Sequence, residues 1–448
     1  MNMKLTMAGG GLVVAIFGCW LLMHLGSPVD LASPGTGKAV QSNYTLAVER
    51  PYSGAKFEPA EGAYASAYIL QDEYIKADMG TFNDMTGKQH ASFFKYVGYG
   101  QPFPTKWVEE VKSSGAVPHI AFEPNDGLDQ VQDDAYLRQW AKDAKASGVP
   151  IFLRYAREMN GTWTQYSGHS EQYIEKWRLV YQVMKEEAPN VAMVWTVFTF
   201  PESTIMKFYP GDDYVDWVGV NVYNVVYHND NIQQKSDQED PLELLEYVYD
   251  NFSYKKPIQI SEFGATHYTV TDDSDYPEWA ADKIKRLYAN LPTLFPRVKS
   301  IYYFDVNNLV NAPEGRKVND YSITDDQTVL NAYKEAVSSS YYLSNVVEDD
   351  QISSDRFTFN GFQFMQNGKL YVDLSFYSNY LDLQATQSGD SVMLSDGEKS
   401  YKFTLNKQNI KRKTLGDTHL INGLPVREVA IKFGYQLSFS GTMIILQK

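Results

Sequence analysis

Two glutamates stand where carboxylate chemistry could be done: Glu158 in "LRYAREMNGTW" and Glu262 in "KPIQISEFGA". Each comes at the end of a short apolar run, so each is placed by a buried element rather than by a solvated loop. Two carboxylates facing each other across a groove are the minimum equipment for glycoside hydrolysis. One is protonated to assist the leaving oxygen, and the other is ionised to attack or to activate water. A gap of about 5 to 5.5 Å leads to retention through a glycosyl-enzyme, and a wider gap to inversion. Singly, a glutamate after a strand is more often a cap or half of an ion pair. The case rests on the two together, with Asn160, Gly161 and Trp163 flanking one and Phe263-Gly264 the other.

Glutamates so far apart in sequence need a fold that gathers strand ends. From about residue 60, short apolar runs alternate with amphipathic stretches. The runs cover 63–70, 91–100, 116–124, 149–156, 191–198, 214–223, 256–264 and 297–305. Between them, "DAYLRQWAKDAKASG", "SEQYIEKWRLVYQVMKEEAP", "DPLELLEYVYDNF" and "PEWAADKIKRLYANL" repeat their apolar residues at three and four, the helical period. Eight strands alternating with helices predict an α/β chain built as a (β/α)8 TIM barrel, with a doubly wound open sheet as the alternative. Glu158 then follows strand four and Glu262 ends strand seven, on the face where this fold gathers its polar groups.

The composition narrows the partners. Among 448 residues, 55 Asp and Glu against 40 Lys and Arg give a net charge of −15, which argues against a polyanion such as nucleic acid or an anionic membrane surface as the partner and favours a neutral or basic substrate. The single cysteine, Cys19, excludes an intrachain disulfide and a cysteine metal cage. It lies in the uncharged run from Ala8 to Gly26, whose length suits one membrane-spanning helix; a cleaved signal peptide and a lipoprotein box are the alternatives. Each implies export. Residues 27–43 have the Pro, Gly and Ser content of a tether.

After about Ser340 the pattern changes to period-two alternation with Asn-Gly and Asp-Gly turns, a small strand-rich α+β module. It contains a weak duplication, 368–394 against 422–446, that matches Leu370 to Leu424, Val372 to Val426 and Leu383 to Leu437. The segment "INGLPVREVAIKFGYQLSFSGTMIIL" resembles the copper amine oxidase N-terminal-like (stalk) domain. That name implies no copper, and no ligand cluster is present.

The barrel motifs resemble glycoside hydrolase family 26. "RYAREMNGTW" is similar to that family's "HEMNG-x-W" motif, "KPIQISEFGA" to its nucleophile strand, "FYPGDDYVDWVGVNVYN" to its intervening segment, and "VPHIAFEPNDG" to its strand-three "WEP" with Phe122 for the tryptophan. The resemblance runs from about residue 60 to 335. It implies a retaining endo-acting enzyme on a β-linked polysaccharide, of β-mannan or β-glucan type, with β-1,3-xylan also known in the family. It assigns Glu158 as acid/base, Glu262 as nucleophile and Tyr223 as the donor that holds the nucleophile ionised. It makes Trp163 a sugar-stacking ring and Glu123 and Asn160 donors or acceptors for sugar hydroxyls. Where the family has His before the acid/base, this chain has Arg157. A cation there would favour the carboxylate form of Glu158, the wrong direction for an acid. Arg157 is expected to contact substrate, with an ion pair to Glu123 as the other reading.

These features predict an anchor or signal peptide at 1–27, a linker at 28–55, a barrel at 56–340 and a small module at 341–448. The expected activity is extracytoplasmic endo-β-glycosidase on a polysaccharide, including the cell's own exopolysaccharide. The catalytic domain would be anchored outside the cell membrane, or secreted, near cell-wall or exopolysaccharide machinery. A non-catalytic polysaccharide-binding barrel and a wall-associated scaffold are the competing readings. No cofactor is expected, and scattered His119, His169, His228 and His267 predict no metal site.

Overall fold

The structure is a computed structural model, and it describes residues 38–348, 354–411 and 418–448. The expected anchor lies outside the described residues. Among the described residues no helix is long and apolar enough to cross a membrane. They form two compact units: a barrel unit, Thr45–Asn360, and a smaller unit in which residues up to Tyr44 join Gly361–Leu446. The barrel unit extends beyond the expected 56–340 at both ends, because strand Thr45–Pro51 pairs antiparallel with Ser354–Phe359.

Eight parallel strands make the barrel: β1 (Ala63–Tyr68), β2 (Ser92–Gly98), β3 (Val117–Glu123), β4 (Ile151–Tyr155), β5 (Val191–Phe198), β6 (Trp217–Asn224), β7 (Ile258–Ala265) and β8 (Val298–Phe304). They pair in sequence order, and β8 closes on β1 with Ser300 opposite Tyr64 and Phe304 opposite Tyr68. The eight apolar runs are these strands. They are almost wholly buried because the barrel interior and the surrounding helices cover both faces.

The helices follow the periodicity. Helix α1 (Ala135–Ala146) buries Leu137, Trp140, Ala141 and Ala144, and Asp134 caps it by accepting from the Leu137 amide. Helix α3 (Pro241–Phe252) starts with proline at its first turn behind the Asp240 cap. Helices α2 (Ser170–Glu187) and α4 (Pro277–Leu294) fill the same role after β4 and β7.

Two features of the fold bear on the site. Strand β7 carries an irregularity: Val220 pairs with Ile260, but Asn221 pairs with Glu262, leaving Ser261 as the extra residue. Such a bulge re-aims the side chain that follows it, here Glu262. The Ser261 hydroxyl instead meets Thr196 of β5 at 3.0 Å. Under the upper rim, Tyr68 stacks on Phe94 and Phe304 with ring centres 4.4 and 5.1 Å apart, part of an aromatic cluster that also supports Tyr96 and Tyr223. Such ring pairs add about 0.5–1.5 kcal/mol each beyond burial.

In the smaller unit the duplication is visible as two strand–helix–hairpin repeats. Lys369–Asp373, helix Leu374–Tyr380 and hairpin Gln384–Ser388/Ser391–Ser395 recur as Thr418–Pro425, Val426–Lys432 and Gln436–Ser440/Met443–Gln447. The element starts put Leu374 opposite Val426 and Gln384 opposite Gln436. That register differs slightly from the leucine matches read in the sequence, because the alternating apolar residues fit either frame.

Candidate active site

The carboxyls of Glu158 and Glu262 open into one cleft of about 560 Å³ at the C-terminal end of the strands. Arg157, Tyr223, Phe198 and Phe200 line it with them, and the segment from Asn308 to Arg316 after β8 forms another wall.

Glu262 is held from several sides. Tyr223 Oη donates to Oε2, Tyr96 Oη donates to Oε1 at 2.6 Å, and Arg154 Nη2 lies 2.7 Å from Oε1. Burial alone would push this carboxyl up. The Arg154 and Arg157 charges and the two phenols outweigh it and hold Glu262 below the usual glutamate range. Both phenols are themselves driven well above the usual tyrosine value, by burial first and then by the Glu262 charge, so they remain donors. Tyr223 can approach because Gly264 has no side chain; a Cβ there would come within 3.0 Å of the Tyr223 ring.

Glu158 is held differently. Trp163 Nε1 donates to its Oε2 at 2.8 Å, and Asn221 Nδ2 donates to Oε1 at 2.6 Å. Its backbone is in the left-handed region, φ 57°, and its amide docks on the Thr196 carbonyl of β5. The same turn brings Trp163 back over Gly161, where a Cβ would sit 2.4 Å from the indole ring. Trp163 keeps 42% of its surface exposed. Asn221 then links the two carboxyls: its Oδ1 lies 3.3 Å from Arg154 Nη1, and the same guanidinium reaches Glu262.

Arg157 takes the ion-pair reading, and Glu123 and Asn160 are turned into the protein. Arg157 pairs with Glu123 at 3.1 Å and approaches Glu262 at 3.8 Å, with its guanidinium over the Tyr96 ring. Its side chain is therefore committed within the protein, although 24% of it stays exposed at the cleft. Glu123 is buried behind it, accepting also from Tyr166 Oη at 3.1 Å, and does not line the cleft. Burial raises its carboxyl above the ordinary value despite the Arg157 charge. Asn160 is buried too: its amide donates to the Phe198 carbonyl at 2.8 Å and accepts from the Phe198 amide at 2.9 Å. It fastens the loop after β4 to the end of β5 and presents nothing to a sugar.

Residues 123–295, which span both carboxylates, match the model of glycosyl hydrolase family 26. That stretch of the chain is similar to family 26. The chain is 25% identical over 279 residues to endoglucanase H of Acetivibrio thermocellus, covering 57% of this chain and 28% of that protein. It is 30% identical over 129 residues to the β-1,3-xylanase TXYA of a Vibrio species, covering 28% of this chain and 25% of that one. The matched part is thus about a quarter of the length of these curated relatives. Among solved structures, a modular endo-β-1,4-mannanase of Cellulomonas fimi is similar with a TM-score of 0.48 and 13% identity, over 87% of this chain and 93% of that one.

Tyr96, Arg154 and Asn221 are not among the residues predicted from the sequence, yet all contact the two carboxylates or each other. Two of them left a signal: Arg154 is the one charged side chain of β4 and Asn221 stands between valines in β6, and both are fully buried. A buried charge of that kind needs a partner, and the partner is Glu262. One group of metal-ligand type also occurs among the described residues, His267 with Asp320 and Asp325. It is closed on itself: His267 Nε2 is 3.2 Å from Asp320, and the Ser322 hydroxyl bonds both aspartates.

Proposed function

We propose that this protein is a retaining endo-β-glycosidase acting on a β-linked polysaccharide of mannan, glucan or xylan type. The reading rests on one observation above all: two carboxyls share a cleft with different sets of neighbours, cations and phenols around Glu262, an indole and an amide around Glu158. Environments that differ in this way separate the roles of acid and nucleophile.

In the proposed mechanism Glu262, ionised and braced by Arg154, Tyr96 and Tyr223, attacks the anomeric carbon. Glu158 delivers its proton to the departing glycosidic oxygen. A water then takes the place of the leaving sugar, Glu158 removes its proton, and the glycosyl–Glu262 ester is cleaved with net retention. Trp163 acts twice, its N–H orienting Glu158 and its exposed face receiving a sugar ring. Phe200, 46% exposed on the cleft wall, offers a second such face. The Arg157 cation stands 3.8 Å from Glu262 and favours the ionised nucleophile.

The uncharged run 8–26 supports an extracytoplasmic enzyme anchored by one N-terminal helix, for which exopolysaccharide of the producing cell is a substrate within reach. The C-terminal unit is read as a copper amine oxidase N-terminal-like module. The mechanism is tested by proton NMR of the first anomer released from soluble mannan, β-glucan and β-1,3-xylan. Initial β-anomer supports double displacement, and initial α-anomer excludes it. Binding without release on every polymer would support the non-catalytic reading.

A further inference from the structure

The C-terminal unit carries a groove of about 240 Å³ whose walls are almost entirely apolar. Leu370, Ile431 and Phe439 line it, and the last two are 62% and 41% exposed. The repeat architecture does not require them: the counterpart positions in the first repeat are Asn379 and Gln387. The exposed cations Lys369 and Arg427 are part of its lining, exposed Lys432 follows Ile431 on the same helix, and Glu428 is the one acidic residue of the lining.

Charge separates this unit from the rest. Residues 361–448 contain 10 Lys and Arg against 7 Asp and Glu, whereas the whole chain has 40 against 55. An anionic surface therefore attracts this unit and repels the remainder. The course of the chain adds a second argument. Strand Val40–Gln41 belongs to this unit, paired with Met365 and Phe364. Between Gly26, where the uncharged run ends, and Lys38 the chain can span roughly 40 Å at most, at ~3.4 Å per residue.

We propose that the C-terminal unit docks on an anionic membrane surface, with Ile431 and Phe439 entering the interface and Lys369, Arg427 and Lys432 meeting the lipid phosphates. The inference rests on the proposed membrane anchoring. Exposed apolar side chains beside lysine and arginine are the combination that binds at such an interface.

The test uses the full chain with Cys19→Ser and a single environment-sensitive fluorophore on Ile431→Cys or Phe439→Cys, with Gln387→Cys as the control site. Protein is reconstituted in phosphatidylcholine vesicles with or without phosphatidylglycerol. The expected result is a blue shift and brighter emission at 431 and 439 only with phosphatidylglycerol, silent at 387. Lys369→Glu, Arg427→Glu and Lys432→Glu together should abolish it, and added salt should weaken it. Unchanged emission from protein that floats with the vesicles would overturn the docking and leave the anchor standing. Failure to float would overturn both. A shift that grows with protein concentration in neutral vesicles would also overturn it, by assigning the groove to a second copy of the chain.

Discussion

The Arg157 guanidinium lies 3.1 Å from the Glu123 carboxylate, an ion pair built into the wall of the cleft. A histidine at this position would leave Glu123, only 4% exposed, without its cation. The residue that departs from the motif is thus held by a glutamate that the motif shares, and its field also reaches Glu262. Arg157→Ala is expected to cost about 3–5 kcal/mol, the range for stripping one partner from a buried pair. Adding Glu123→Gln should recover much of it, which urea unfolding would measure. Arg157 also lowers Glu262, so its removal moves the acid limb of kcat/KM to higher pH. An unmoved limb would show that Arg157 does not act on the nucleophile.

The approach of Trp163 to Gly161 leaves no room for a methyl group. Gly161→Ala should displace the indole and with it the hydrogen bond to Glu158. A misplacement of about 1 Å near the reacting groups can cost roughly 100-fold, so kcat should fall by that order with little change in thermal stability. Trp163→Phe separates the two roles of this ring, keeping the stacking face and losing the N–H, and should lower kcat more than it raises KM.

Much of this site could be read from the sequence because it follows from strand order. Eight apolar runs gave eight strands, and the ends of the fourth and seventh carry Glu158 and Glu262 into one cleft. What could not be read depends on tertiary aim. The extra residue Ser261 that turns Glu262 toward Asn221 has no mark in "QISEFG". Asn160 looks available in a turn, yet the backbone of Phe198, from a different strand, uses its amide. Arg157 could have faced acid, nucleophile or substrate, and only the position of Glu123 on β3 decides between them.

At the start of β8, Arg297 is 1% exposed and bonds Glu58, Asp355 at 2.5 Å, and Tyr52 at 2.9 Å. None of these lines the cleft. Arg297→Ala should therefore destabilise the barrel unit by about 3–5 kcal/mol while the folded fraction keeps its kcat/KM. Calorimetry with active-site titration distinguishes this from a catalytic defect.

His267 and Asp320 predict a pH-dependent tie between the segments after β7 and β8. Burial would lower the imidazole, but Asp320 at 3.2 Å, with Asp325 and Asp326, raises it above the ordinary histidine value. A raised value means that the stability is fully present below the unfolded value of about 6.5 and is lost as pH rises through the folded one. The stability difference between wild type and His267→Gln should be larger at pH near 5.5 than at pH near 8.5. A difference independent of pH would mean that the imidazole is neutral throughout.

The most direct test of the account is reducing-end release from mannan, β-glucan and β-1,3-xylan by wild type, Glu262→Ala and Glu158→Gln at matched folded concentration. The account predicts release from at least one polymer by wild type, with a loss of about 1,000-fold or more in Glu262→Ala, as expected when a covalent nucleophile is removed. Equal release by wild type and Glu262→Ala, or none from any polymer, would contradict it.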